Sequence, residues 1–116
     1  MKATIPLKCI PKKRPRVTAT HTYMEPRYVE HRDVLRVLLR NAFKVRRKPL
    51  FETGDVSLTL VIRFKKLGAG DIDNLCGMVM DSGNGILWTD DRQVTRLCVS
   101  IERNTGRDEI ELEVTG

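Results

Sequence analysis

The cleanest periodicity in the chain lies at residues 56–64. There Val56, Leu58, Leu60, Ile62 and Phe64 alternate with Ser57, Thr59, Val61 and Arg63. A period of two marks a strand with one buried face. The same rule predicts two later strands. Leu97, Val99 and Ile101 share a face of Val94–Glu102, and Ile110, Leu112 and Val114 alternate with Glu109, Glu111 and Glu113. Asn104-Thr105-Gly106 predicts a turn between these two, so they read as a hairpin. Near the start, Ala3–Ile10 reads as a short strand, and Val17–Tyr23 as a second strand or an ordered loop.

Between Arg27 and about Val45 the period becomes helical. Tyr28, Leu35, Leu38, Leu39, Ala42 and Phe43 recur at three- and four-residue spacing and form one apolar face. Pro26 suits the first turn, and Arg46-Arg47-Lys48-Pro49 ends the helix. A shorter helix starts near Asp73, carries Leu75, Met78 and Val79, and stops in Ser82-Gly83-Asn84-Gly85. Strands and two main helices in mixed order predict an α+β fold. We expect one domain over residues 1–116, a two-layer sandwich with a mixed β-sheet and the helices on one face.

Charge changes this picture from a fold to a partner. The 116 residues carry a formal net charge of +6, and the charge is uneven. Residues 1–50 hold a net +11 and residues 51–116 a net −5. A basic surface favours a polyanion such as nucleic acid. The basic loop Lys12, Lys13, Arg14, Pro15 and Arg16 has no interleaved aromatic residue, which points to phosphate contact rather than base stacking. Arg32, Arg36, Arg40 and Lys44 follow one another at four-residue steps along the long helix. They are either a solvated face or a ridge that tracks phosphates. Lys65 and Lys66 either meet the scissile phosphate or flank a strand as edge charges.

Inside this basic chain four carboxylates fall together: Asp71 and Asp73, then Asp90 and Asp91 across a Gly-rich stretch. Residues two apart on an extended approach to a helix point to one side, so Asp71 and Asp73 suit one hard cation. Asp90 and Asp91 would supply a second wall. A bound Mg²⁺ or Mn²⁺ would then act on nucleic-acid phosphates. The plainer alternative is that Asp71 or Asp73 caps the short helix and Asp90-Asp91 is a solvated turn. An EF-hand starting at Asp71 is excluded by Cys76 and Ser82 at its sixth and twelfth positions. There is no P-loop or dinucleotide fingerprint, and His21, His31 and three scattered cysteines make no zinc pattern. Cys9, Cys76 and Cys98 lack paired spacing, and no stretch reaches the roughly 18 apolar residues of a membrane span. The chain reads as cytoplasmic.

Two motifs carry a resemblance. Asp71-x-Asp73-Asn74-Leu75, a short helix, then Gly85-x-x-Trp88-x-Asp90-Asp91-x-Gln93-Val94 resembles the RusA-type Holliday junction resolvases. The segment Pro11-x-x-Arg14-Pro15-Arg16-Val17-Thr18 and the helix bearing Tyr28 resemble the N-terminal half of the same family. The resemblance implies a small α+β homodimer that binds four-way DNA junctions and nicks two strands symmetrically with Mg²⁺ or Mn²⁺. It makes Asp71, Asp73 and Asp91 the essential acids and Asp90 an auxiliary group. Family members commonly carry a lysine where this chain has Gly77. Lys65, Lys66 or Arg92 are the candidates to supply the missing cation.

Overall fold

The alternating segment forms strand β4, Val56–Arg63, and its apolar residues line the core with 0–1% of their surface exposed. The computed structural model describes residues 1–12, 16–17 and 22–116. Around β4 stand β1 (Lys2–Ile5), β5 (Val94–Glu102) and β6 (Glu109–Thr115) in the order β1-β6-β4-β5. β6 runs antiparallel to both β1 and β4, while β5 runs parallel to β4. Two short strands, β2 (Arg16–Val17) and β3 (Thr22–Tyr23), pair antiparallel on their own. Helices α1 (Pro26–Ala42) and α2 (Ile72–Gly83) cover one face of the four-stranded sheet. The expected α+β sandwich with a mixed sheet is therefore present. No helix among the described residues is long and apolar enough to cross a membrane.

The other sheet face is polar. There Arg63 binds Glu102 at 2.7 Å, Glu109 at 3.2 Å and Glu111 at 3.5 Å. The core-facing side holds Leu58, Leu60, Ile62, Ile110, Leu112 and Val114 against Leu35, Leu39, Leu75 and Met78.

Three expectations are corrected. The last two strands are not a hairpin. β6 inserts between β1 and β4, and the connection from β5 crosses the end of β4. Backbone N–H groups of Asn104, Thr105 and Gly106 donate to the carbonyls of Lys66, Phe64 and Lys65 and hold that crossing. The core-facing residues of β6 are wholly buried, so both its edges need partners in the interior of the sheet. The first strand is Lys2–Ile5 rather than Ala3–Ile10, because Pro6 has no N–H to extend the ladder. The long helix stops at Ala42, short of Val45, where Lys44 takes a positive φ of 55° and breaks the helical path. The Val17–Tyr23 segment brackets residues 18–21, which lie outside the described part.

The basic steps along α1 also find definite places. Tyr28, Leu35, Leu39 and Phe43 face the core, and Arg32 and Arg36 flank this stripe on the side of α2. Arg36 donates to the carbonyls of Ser82 and Asn84 at 3.0 and 2.6 Å. Arg32 pairs with Asp81 at 3.3 Å, and Asp81 also accepts from the Tyr28 hydroxyl at 3.1 Å. Burial first, and the Asp81 charge second, push the Tyr28 hydroxyl above its usual pKa. Arg40 donates to the Arg46 carbonyl at 3.3 Å. The ridge is neither freely solvated nor a free phosphate track: Arg32 and Arg36 fasten α1 to α2.

Candidate active site

α2 begins beyond the C-terminal end of β4, after a loop that turns at Gly70. This glycine has a φ of +109°, and a Cβ there would stand 2.8 Å from Cβ of Pro11. Both the conformation and the approach of Pro11 require glycine. The approach lays Lys12 along the first turn of α2, where its N–H donates to the Asn74 carbonyl at 2.8 Å. The Lys12 stem crosses Gly77. A Cβ at 77 would lie 3.4 Å from Lys12 Cδ and 3.7 Å from its Cβ.

On this turn Asp71 occupies the N-cap position with extended backbone, but its side chain makes no capping bond. Asp73 follows in the first turn. Both are exposed, and neither has an ion-pair partner among the described residues. The positive end of the helix dipole favours negative charge here. Lys65 and Lys66 are exposed at the same end of the sheet and, with Lys8, border a small cleft beside Gly68.

Asp90 and Asp91 are placed differently. β4 and β5 are parallel, so α2 runs back along the sheet and Asp90-Asp91 come at the start of β5. Asp90 caps the short 3-10 turn Asp91–Gln93, accepting from the Arg92 N–H at 2.9 Å. Gln93 closes a capping box, its side-chain oxygen accepting from the Asp90 N–H at 3.1 Å. The Arg92 N–H and then its guanidinium hold the Asp90 carboxyl below the usual carboxylate range. Asp91 accepts from the Asn84 side chain at 3.5 Å, and Asn84 also accepts from the buried Trp88 indole at 3.0 Å. Asn84 directly follows α2, so Asp91 stands at one end of this helix and Asp71 and Asp73 at the other.

The chain thus brings together Asp71, Asp73, Lys12, Lys65 and Lys66, but not Asp90, Asp91 or Arg92. Among the described residues no three His, Cys, Asp or Glu side chains are grouped to hold an ion. Two uncommitted carboxylates on one turn still suit a hard divalent cation that keeps several waters. Lys13 and Arg14 lie outside the described residues, and only the backbone of Arg16 is described. Reading the sequence gave Gln93 no role, although its place three residues after Asp90 is capping-box spacing. The contact of Lys12 with Gly77 had no signal in the sequence.

The family model described as Endodeoxyribonuclease RusA matches residues 6–115, nearly the whole chain. No curated protein matches it.

Proposed function

The chain belongs to the RusA endodeoxyribonuclease family, whose members act on Holliday junction DNA, and from this we propose a metal-dependent resolvase that makes paired symmetric nicks. The observation that supports it most is the pair Asp71 and Asp73, exposed, without partners and beside basic groups on the first turn of α2. These two carboxylates would hold Mg²⁺ or Mn²⁺. The ion, when bound, supplies charge stabilisation at the phosphate and a more acidic water. Lys65 and Lys66 would bind backbone phosphates on the same edge. Lys12 is the cation best placed for the role that the family gives to a lysine at 77, because its stem occupies that position's space. Arg92 is bound to Asp90 at the far end of α2 and does not serve. Paired symmetric nicks need two sites, hence a homodimer.

A second reading, a junction-binding protein without cleavage, draws on the distance of Asp91 from the other acids. The two readings separate on a labelled four-way junction and a matched linear duplex, each with Mn²⁺ or Mg²⁺. The resolvase reading expects paired nicks at symmetric positions on the junction and none on the duplex. Selective junction binding with no nick under either ion would overturn it.

A further inference from the structure

The three acids on which the family resemblance rests cannot meet on one ion within one chain. Asp73 and Asn84 are separated along α2 by roughly 16 Å at the rise of an α-helix. Asp91 is bound to Asn84 at 3.5 Å. Ligand oxygens on one Mg²⁺ lie within about 4 Å of each other. The parallel β4-α2-β5 crossover enforces this separation, so side-chain motion does not remove it.

The side of the molecule between the two acidic ends is unpartnered and apolar. α2 and β5 border a groove lined by Ile72, Cys76, Met80, Leu97 and Val99. Ile72 is 49% exposed and Leu97 46% exposed, against almost complete burial of the core. β5 is an edge strand with β4 as its one neighbour, and its residues Val94–Glu102 offer a free edge. Such an edge pairs readily with another strand.

Charge selects the occupant. Asp71 and Asp73 stand at one end of the groove side, and Arg92, with 88% of its side chain exposed, at the other. On the open sheet face Arg96 lies towards the start of β5 and Glu102 at its end. This layout is complementary to itself when reversed, as a two-fold axis requires.

We propose that a second copy of the chain docks antiparallel on the α2–β5 side. Each active site is then composite: Asp71 and Asp73 come from one subunit and Asp91 from the other. Arg92 of the partner subunit arrives beside the same acids. The interface is inferred independently of catalysis; what the gathered carboxylates do rests on the nuclease reading above.

Two measurements on the full chain test this. Sedimentation should give a dimer for the unaltered protein and a monomer for Leu97→Glu, a change at a half-exposed position that the fold tolerates. A monomeric unaltered protein, or a dimer indifferent to Leu97→Glu, would overturn the interface. The second measurement mixes Asp73→Asn with Asp91→Asn under subunit exchange and titrates Mn²⁺. Each variant alone should lack the tight site. In the mixture every heterodimer regains one intact site, so about a quarter of the sites return if exchange is random. No recovery on mixing would place the site within one chain and sink the composite. Recovery of Mn²⁺ binding without junction cleavage would keep the composite site and defeat the nuclease reading alone.

Discussion

Lys12 owes its place to Pro11, which packs on Gly70 and hands the next residue to α2. A cation on this turn stabilises negative charge developing on a phosphate held near Asp73. Lys12→Met keeps the stem over Gly77 and removes the charge. It should slow single-turnover junction cleavage by about tenfold or more, with protein saturating so that binding does not limit. Adding Gly77→Lys should restore much of the rate, since position 77 leaves ordinary contact distance to the Lys12 stem. An unchanged rate for Lys12→Met would remove Lys12 from the site. The acid pair Asp71 and Asp73 was legible in the sequence because spacing and helix start coincide. The lysine was legible only as part of a basic run. Its partner lies 65 positions away at Gly77, and no local pattern reports a contact made through a loop.

At the scale of elements, α1 and α2 are joined by polar bonds beside an apolar seam. Arg36 satisfies two carbonyls at the C-terminal end of α2, where helical acceptors lack partners. Arg36→Ala would expose both acceptors and remove packing. It should cost about 1–3 kcal/mol, read as a lower urea midpoint at unchanged slope. A midpoint equal to that of the unaltered protein would contradict this role. The apolar stripe of α1 could be read from its period. Which flank of the stripe a second helix would cover depends on tertiary approach, and so Arg32 and Arg36 resembled a phosphate ridge. The hairpin failed for a related reason. Asn104-Thr105-Gly106 is sound turn chemistry, but pairing is decided by burial. The wholly buried face of β6 takes the interior place, and β5, with Leu97 half-exposed, takes the edge.

Over the whole molecule, the parallel crossover has the largest consequence for function. Sequence nearness suggested one four-carboxylate cluster, yet the return path of α2 sends Asp71 and Asp73 to one end and Asp90 and Asp91 to the other. Only the direction of β5 relative to β4 decides this, and alternation along a strand carries no information about direction. The basic excess of the first half was legible, and Lys65 and Lys66 share an edge with the acid pair. This arrangement lets the chain attract DNA through distributed charge while a local pair of carboxylates performs the chemistry. The most direct measurement compares the unaltered protein with Asp73→Asn on one labelled four-way junction in Mn²⁺, following binding and nicking together. The neutral side chain should leave junction binding intact or tighter and abolish both nicks. Nicking at the unaltered rate by Asp73→Asn would contradict the assignment of the acid pair as the catalytic centre.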